Sequence, residues 1–502
     1  MIRSLTDPGN QYELSELSDL LADLERLASD IESEAAQRLQ QHQQHYPNGY
    51  SPDALNLADY LALRSYDLRD LQTRLADVGL SSLGRGEPHV RYNLQQVINL
   101  LHRALDLPLL QHTHQPHHLL EQRAEKLFGK RHKGRYARIM VTLPSEAAQN
   151  PSLAETLIKR GMDCARINCA HDNAHVWLDM VQHIREAEHN TGQGCRILMD
   201  LAGHKIRTQL VNVIRKKHSG KLKGPRVFVG DSILLVHDSS TLIQQLKQSN
   251  EPIRISCTCP GIIDQLEAGH MVWIDDGKLG CLVENITSQG ALLRVTHAGP
   301  KGVTLRPDKG LNFPETTLDL PTLSDKDRED LGFIVKHADM VALSFVRNLD
   351  DIEQLLALLE QHQATDLPIV AKIETRLGVK ELPNILLGTL GRYPLGVMIA
   401  RGDLAVELGS VRMAEIQEEI LWLCEAAHTP VIWATQVLET LAKKGTVSRP
   451  EITDAAMSIR AECVMLNKGD YIAEAVEVLD NILHKMDAHQ YKKVSRLRKL
   501  HW

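Results

Sequence analysis

Two kinds of hydrophobic spacing divide the chain. Between Leu14 and Ile31, leucine and isoleucine recur every three or four positions, which is the spacing of an amphipathic helix. A second helix is predicted at "SPDALNLADYLAL", where Ser51 can act as the N-cap and Pro52 fits the first helical position. A third amphipathic stretch follows, and the histidine-rich stretch after it is polar and predicts a linker. We therefore expect residues 1–130 to form an N-terminal all-α extension with a linker.

From residue 136 onward, short apolar runs alternate with helical segments. Eight such runs follow one another: "ARIMVTL", "DCARINC", "CRILMDL", "ADMVALSF", "LPIVAKIE", "LGVMIARGD", "TPVIWATQ" and "AECVMLN". Continuous apolarity is typical of parallel strands that are covered on both faces. Eight such strands, most of them followed by a helix, predict an α/β fold with a closed (β/α)8 TIM barrel.

A segment of different character separates the third run from the fourth. Residues 209–311 include "GPRVFVGDSILLV" and "HMVWIDDGKLGCLVENI", in which polar and apolar residues alternate and glycine and aspartate mark turns. We expect this insertion to form a small β-barrel lid domain. The barrel would then occupy residues 134–208 and 312–488, followed by a basic C-terminal tail at 489–502.

Composition narrows the class of protein. A chain of 502 residues that is 43% hydrophobic can fill the cores of two or three domains. Its formal net charge of -7 disfavours a nucleic-acid partner, because such binding requires a basic surface. Neither a signal peptide nor a sufficiently long apolar run is present, so no membrane partner is expected. The eight cysteines are scattered without metal-binding spacing, which favours a reducing, cytoplasmic compartment.

Polar and charged residues gather where the apolar runs end. In barrel enzymes the carboxyl ends of the strands converge on one rim, which carries the chemistry. Two carboxylates there, Glu374 and Asp403, can bind a divalent cation, and two cations, Arg166 and Lys372, can neutralise an anionic substrate. Oxygen ligands for Mg²⁺ together with arginine and lysine are typical of phosphoryl transfer. The pattern therefore indicates a metal-assisted reaction of an anionic substrate, although a mutually bridged pair of charges remains the alternative for Lys372 and Glu374 alone.

A series of motifs in this region carries a family resemblance. They are, in order, "GMDCARINCAH", "LMDLAGHKIRT", "VWIDDGKL", "KGLNFPETTLDLPTLSDKDREDL", "ADMVALSFVR", "IVAKIET", "MIARGDL" and "PVIWATQVLETL". From "ARIMVTLPSEA" to "NKGDYIAEAVEVLDNIL" the chain resembles the pyruvate kinase family. The resemblance implies a cytoplasmic kinase that uses Mg²⁺ or Mn²⁺, with a β lid that closes over phosphoenolpyruvate and a nucleoside diphosphate. It also implies a homo-oligomer, whose order the sequence leaves open.

The resemblance gives rim residues specific roles. Lys372 would stabilise charge on the transferring phosphoryl group and the enolate, Arg166 would clamp the phosphoryl group, and Thr435 would position the proton that carbon gains. The resemblance further implies that the substrate-binding residues are Ala400, Arg401, Gly402 and Ser344, the first three through their backbone.

The remaining roles concern cations and the nucleotide. Glu374 and Asp403 would bind Mg²⁺, while Arg207 and Lys309 would contact the nucleotide. Asn168 and Asp200 match positions that hold a monovalent cation in the family.

Several positions depart from the family pattern. Ala170 replaces a serine that contributes oxygen to the potassium site, and Lys205 replaces a glutamate, so we expect K⁺ not to be required. The loop after the eighth strand is shortened to Asn467 and Lys468, which leaves ADP and other nucleoside diphosphates open as acceptors. The chain also ends soon after the helix that follows the eighth strand, so we expect no C-terminal effector domain.

Two other functions are compatible with such a fold. One is a catalytically reduced barrel that serves as a regulatory or scaffold protein through its helical extension. The other is an enolpyruvate-using lyase or aldolase. Retention of the five residues Arg166, Lys372, Glu374, Asp403 and Thr435 disfavours the scaffold, and retention of the lid with Lys309 disfavours the lyase.

Overall fold

A helical region comes first in the computed structural model, which describes residues 8–110, 118–132, 134–211, 215–216, 222–237 and 252–496. Its helices are α1 (Pro8–Gln41), α2 (Pro52–Leu63), α3 (Arg69–Asp77), α4 (Val90–Ala104) and α5 (Leu119–Phe128). The predicted cap of α2 is confirmed, because the Ser51 side chain accepts a hydrogen bond from the amide of Ala54. The all-α character of this region is therefore as the hydrophobic spacing predicts.

The first part of the barrel follows directly. It consists of β1 (Arg138–Thr142), α6 (Pro151–Lys159), β2 (Cys164–Asn168), α7 (Ala174–Thr191) and β3 (Arg196–Asp200). The chain then leaves the barrel for an all-β insertion. Its strands are β4 (Thr208–Val211), β5 (Arg215–Lys216), β6 (Leu222–Lys223), β7 (Arg226–Val227), β8 (Ser232–Val236), β9 (Ile253–Cys257), β10 (Met271–Ile274), β11 (Leu279–Thr287), β12 (Gly290–Ala298), β13 (Val303–Thr304) and β14 (Leu311–Asn312).

The insertion, called the lid from here on, is built around one sheet. Seven strands pair in the order β14-β10-β11-β12-β8-β9-β4, and their buried faces form a separate hydrophobic core. A bridge between Arg207 and Gly310 joins the two chain segments at the base of the lid. The lid is therefore attached to the barrel by two neighbouring connections.

The chain then returns to complete the barrel. The elements are α8 (Asp325–His337), β15 (Met340–Leu343), α9 (Leu349–Gln361), β16 (Ile369–Ile373), α10 (Arg376–Thr389), β17 (Leu395–Ala400), α11 (Arg401–Leu408), α12 (Ser410–Ala426), β18 (Val431–Ala434), α13 (Glu439–Lys444), α14 (Arg449–Met457), β19 (Cys463–Leu466) and α15 (Ile472–Asp487). A short hairpin of β20 (Gln490–Tyr491) and β21 (Val494–Ser495) follows. Eight strands pair in parallel and close in the order β1-β19-β18-β17-β16-β15-β3-β2. The predicted (β/α)8 barrel is thus confirmed.

Helix α5 closes the amino-terminal end of the barrel. Two contacts involve the first residues of strands: Cys164 Sγ lies 3.5 Å from the carbonyl of Phe128, and Arg138 Nε donates to the carbonyl of Gly129 at 3.1 Å. Leu127 packs against Gly396 at the start of β17. Both Leu127 and Phe128 belong to the cluster that fills the barrel interior. The opposite rim is therefore left open for the site.

The helical region is also fixed to the outside of the barrel. Asn56 Nδ2 donates to the carbonyl of Ala426 at 2.7 Å, at the end of α12. Arg123 pairs with Asp53 and donates to the carbonyl of Ala427 at 3.2 Å. The helices and the barrel share one continuous hydrophobic core. Among the described residues, no helix is long and apolar enough to cross a membrane.

Candidate active site

The barrel topology brings the polar strand ends to one rim. Asn168 and Asp200 are the last residues of β2 and β3, and Ala400 is the last of β17. Ser344 and Thr435 come directly after β15 and β18. Because all eight strands are parallel, these carboxyl ends lie at the same end of the barrel.

Four charged side chains form a network in the middle of this rim. Lys372 Nζ lies 2.7 Å from Ser344 Oγ, 3.2 Å from an oxygen of Asp200 and 3.3 Å from an oxygen of Glu374. Arg166 Nε donates to the other oxygen of Asp200 at 2.8 Å. Cations and carboxylates thus alternate, and all four residues are buried. We call Arg166, Asp200, Lys372 and Glu374 the rim network.

The network keeps Lys372 charged although it is buried. Burial by itself would lower the pKa of Lys372, but the neighbouring carboxylates of Asp200 and Glu374 outweigh burial, and the pKa is raised. Burial likewise would raise the pKa of Asp200, yet Lys372 and Arg166 hold it below its ordinary value. The rim therefore presents a fixed ammonium and guanidinium in surroundings of low dielectric, where charges act strongly.

The side chain of Glu374 is fixed in position, as a metal-binding carboxylate needs to be. Its Oε2 accepts a hydrogen bond from the amide of Phe345 at 2.7 Å, which fixes the side chain. Burial raises its pKa, Lys372 opposes the shift, and the charge of Asp403 adds to it. A cation bound between Glu374 and Asp403 would relieve this repulsion, so the two side chains fit Mg²⁺ or Mn²⁺, which prefer oxygen ligands.

Asp403 lies in the first turn of α11 and pairs with a residue from the base of the lid. Its Oδ1 is 2.8 Å from Lys205 Nζ. Among the described residues no group of three or more histidine, cysteine or acidic side chains is gathered to hold a metal. The two carboxylates would therefore supply part of a coordination shell, and substrate oxygens and water would complete it.

The loop at the start of α11 is locked from behind. The guanidinium of Arg401 donates to Asp454 at 2.9 Å and to the carbonyl of Ala434 at 3.1 Å, and it stacks on Trp433. The amide of Gly402 donates to Thr435 Oγ1 at 2.8 Å, and Thr435 has a positive φ of 64°. The side chain of Arg401 is thus a structural brace, which leaves only backbone at this position for a ligand.

The predicted nucleotide residues lie at the lid and pair within it. Lys309 Nζ is 3.0 Å from Asp275, and Arg207 Nη1 is 3.5 Å from Asp308. Neither cation contacts the rim network in the described part of the chain. Closure of the lid, or a ligand that replaces these partners, would be needed to bring them to the rim.

The predicted monovalent-cation positions are occupied by protein contacts. Asn168 accepts a hydrogen bond from the amide of Ala170 at 3.1 Å, and the oxygens of Asp200 face Arg166 and Lys372.

Sequence reasoning did not single out Thr142 and Asp454. Thr142 Oγ1 accepts from Arg166 Nη1 at 2.9 Å, and it is the last residue of β1. The same strand-end signal that identified the other rim residues applies to it. Asp454 braces Arg401 from α14, and no local pattern marks it, because the contact joins segments that are distant in sequence.

The fold and the rim together define a class of protein. It is a (β/α)8 barrel with an inserted β lid, whose rim holds carboxylates and buried cations suited to a metal-bound anionic substrate. Residues 134–476 match the family described as pyruvate kinase, barrel domain. The chain belongs to the pyruvate kinase family.

Individual relatives agree with this assignment. The chain is 30% identical over 374 residues to the pyruvate kinase of Bacillus licheniformis, covering 72% of this chain and 59% of that protein. It is 31% identical over 355 residues to the pyruvate kinase of Geobacillus stearothermophilus, covering 69% and 56%. Pyruvate kinase PKLR of Homo sapiens is 29% identical over 360 residues, covering 69% and 59%. The matched region thus spans less than two thirds of these relatives.

Proposed function

We propose that the protein transfers a phosphoryl group from phosphoenolpyruvate to ADP or another nucleoside diphosphate, giving pyruvate and the nucleoside triphosphate. The observation that carries the proposal is the rim network, in which a buried and charged Lys372 stands between Asp200, Ser344 and Glu374. Family membership supports the same reaction.

Lys372 and Arg166 would stabilise the charge that moves during transfer. Fixed positive charges stabilise the negative charge on the phosphoryl group and on the enolate oxygen during transfer. Cations that the protein already holds in place need no reorganisation in the transition state. Asp200 holds both cations in place through its two oxygens. Loss of one such group costs on the order of 3 kcal/mol of transition-state stabilisation.

Glu374 and Asp403 would hold Mg²⁺ or Mn²⁺. The bound metal would supply positive charge to the carboxylate and phosphate of the substrate. The hydrogen bond from the Phe345 amide orients Glu374, and Lys205 orients Asp403.

The substrate carboxylate would lie against the start of α11. The backbone of Ala400, Arg401 and Gly402 would cradle it there, since helix N-termini favour anions. Ser344 would help to position Lys372 beside the substrate. Thr435, which already accepts a hydrogen bond from Gly402, would position the proton that the enolate carbon receives.

The nucleotide would bind between the rim and the lid. Arg207 and Lys309 would exchange Asp308 and Asp275 for its phosphates, and closure would exclude water that competes as acceptor. The residues Asn467 and Lys468 follow the eighth barrel strand. Because this short loop departs from the family pattern, the preferred nucleoside diphosphate is to be identified by comparing several acceptors. A homo-oligomer remains a prediction.

Independence from K⁺ is part of the proposal. The position that would be glutamate in potassium-dependent relatives carries Lys205, which brings an ammonium to the rim beside Asp403. Asn168 and Asp200, the other positions of a monovalent site, are engaged by protein donors.

A coupled assay of pyruvate release tests the reaction. Lys372→Met keeps the length of the side chain and removes its charge, so kcat should fall at least about a hundredfold. Lys336→Met, which removes an exposed lysine on α8, is the matched control and should leave kcat unchanged. Thermal melts of both variants report whether they fold.

Two results would overturn the proposal. One is a Lys372→Met enzyme that is folded and as active as the control. The other is pyruvate formation at the full rate without any nucleoside diphosphate, which would indicate a lyase or a hydrolase instead.

A further inference from the structure

A cavity of about 470 Å³ lies beside the rim and outside the rim network. Both connections of the lid line it, through residues 204–206 and 311–318, and the barrel contributes Phe345 and residues 375–377. None of the four network residues lines this cavity. We call it the hinge cavity. Its volume falls in the range of sites that bury small organic molecules.

The cavity lining combines apolar and cationic side chains. Phe313, Leu318 and Leu377 provide apolar walls. Two cations, Arg376 and Lys380, also line it; they lie one turn apart at the start of α10 and are exposed to solvent. In the described part of the chain neither cation forms an ion pair with a carboxylate.

The surroundings of these two cations also suit an anion. The first turn of α10 contains no acidic residue, and Thr375 caps it from within the cavity. Two carboxylates line the cavity: Glu315 accepts from the amide of Met271 at 2.7 Å, and Glu407 accepts from Asn312 Nδ2, within the same lining, at 3.4 Å. Arg376 donates to the backbone carbonyl of Glu407 at 3.2 Å and not to its carboxylate. The two cations are therefore available to a negatively charged ligand.

We propose that the hinge cavity binds a small organic carboxylate with an aromatic or branched apolar body. The carboxylate would pair with Arg376 and Lys380 at the N-terminus of α10, and the apolar body would pack against Phe313, Leu318 and Leu377.

Occupancy of this site would reach the rim through two contacts. Lys205 lines the cavity and holds Asp403, while the amide of Phe345 holds Glu374. A ligand packed against both lid connections would also change the freedom of the lid to close. The site is therefore expected to modulate the KM for nucleotide, but its existence does not depend on the proposed reaction.

Binding to the full chain is measured by calorimetry with three carboxylates: phenylacetate, indole-3-acetate and 4-methylpentanoate. Their amides retain the apolar body without the charge, and inorganic phosphate supplies charge without the body. A parallel series of titrations contains saturating phosphoenolpyruvate and Mg²⁺, so that the rim is already occupied. At least one carboxylate should bind at least about tenfold more tightly than its amide and than phosphate, which corresponds to 1.4 kcal/mol, and should do so in both series.

Two variants locate the site. Lys380→Glu reverses a cation and Leu377→Glu places a charge in the apolar wall, and each should weaken binding at least about tenfold. Lys336→Glu reverses a distant exposed lysine and should have no effect. The proposal is overturned if no carboxylate binds, if phosphoenolpyruvate abolishes binding, or if folded Lys380→Glu and Leu377→Glu proteins bind as the control does. Binding that persists in a protein without turnover would refute the proposed reaction alone.

Discussion

The ammonium of Lys205 lies 2.8 Å from the carboxylate of Asp403, although 198 positions separate them in sequence. Lys205 comes from the first connection to the lid, and Asp403 from the first turn of α11. The lid base and a proposed Mg²⁺ ligand therefore share an ion pair. Because Lys205 is part of the chain, its charge is present at the rim whatever salt is in solution.

This pair predicts that turnover does not require K⁺. Rates in KCl and in tetramethylammonium chloride of equal ionic strength should agree within about twofold, a difference of only about 0.4 kcal/mol in the barrier. Lys205→Met removes the fixed cation and should lower turnover in both salts. Strong stimulation of the unmodified protein by K⁺ would show that Lys205 does not replace the ion.

The position of Ser344 depends on a glycine in the lid connection. Gly203 has a positive φ of 64°, and a Cβ added there would lie 2.8 Å from the Cβ of Ser344. Ser344 in turn contacts Lys372. Gly203→Ala should therefore displace Lys372 and reduce kcat by about tenfold to a hundredfold, since a shift near 1 Å at a reacting group has that effect.

Gly192→Ala is the matched control for this substitution. Gly192 also has a positive φ, of 69°, but an added Cβ would meet no atom within 4 Å. Both variants carry the cost of a left-handed alanine, about 1–2 kcal/mol, and the contact with Ser344 should add to the loss in the midpoint of thermal unfolding of Gly203→Ala alone. Equal kcat values in the two variants would contradict the proposed link from Gly203 to Lys372.

The barrel and its rim could be predicted from sequence because they depend on local order. Apolar runs identify strands, and parallel strands place their last residues at one end, so Asp200 and Glu374 were expected together. The direction in which a side chain turns depends on partners elsewhere in the chain. Arg401 turns to Asp454, and Lys205 turns to Asp403. Neither pairing has a local signal.

Helix α5 illustrates the same limit. It lies in the segment that we interpreted as a linker, because histidines and charges dominate that stretch. Its buried positions, Leu120, Ala124, Leu127 and Phe128, recur at helical spacing, so the helix itself was detectable. Its role was not, since only the closed barrel creates the opening that Leu127 and Phe128 fill.

Truncation of Phe128 tests this closure. The side chain is fully buried in the cluster that fills the barrel interior, so Phe128→Ala should lower the free energy of unfolding by about 3–5 kcal/mol. Leu100→Ala, at a position that is 48% exposed on α4, should change it by less than about 0.5 kcal/mol. Urea unfolding followed by circular dichroism measures both, and equal midpoints would show that α5 does not seal the barrel.

Glu425 on α12 predicts a pH dependence of stability at the far side of the barrel. Burial raises its pKa to about 7, Lys492 and Lys493 oppose the shift, and Glu87 and Glu462 add to it. In the unfolded chain the carboxyl has its ordinary pKa of 4.5. The folded protein therefore binds this proton more tightly. Below pH 4.5 this carboxyl lowers the free energy of unfolding very little. The loss of stability grows as the pH rises towards 7, and the full loss remains above that pH.

Glu425→Gln removes the charge and should stabilise the protein where that charge is costly. The expected gain in free energy of unfolding at pH 8 is about 2–3 kcal/mol, since one pKa unit corresponds to 1.4 kcal/mol, and it should shrink to a small fraction at pH 5. Glu415 is an exposed residue of the same helix and pairs with Arg412. Glu415→Gln should change the free energy of unfolding by the same amount at both pH values. Thermal melts at pH 5 and pH 8 measure the difference. A Glu425→Gln protein that is less stable than the unmodified protein at pH 8 would mean that Lys492 needs this carboxylate as an ion-pair partner, and that burial does not dominate its pKa.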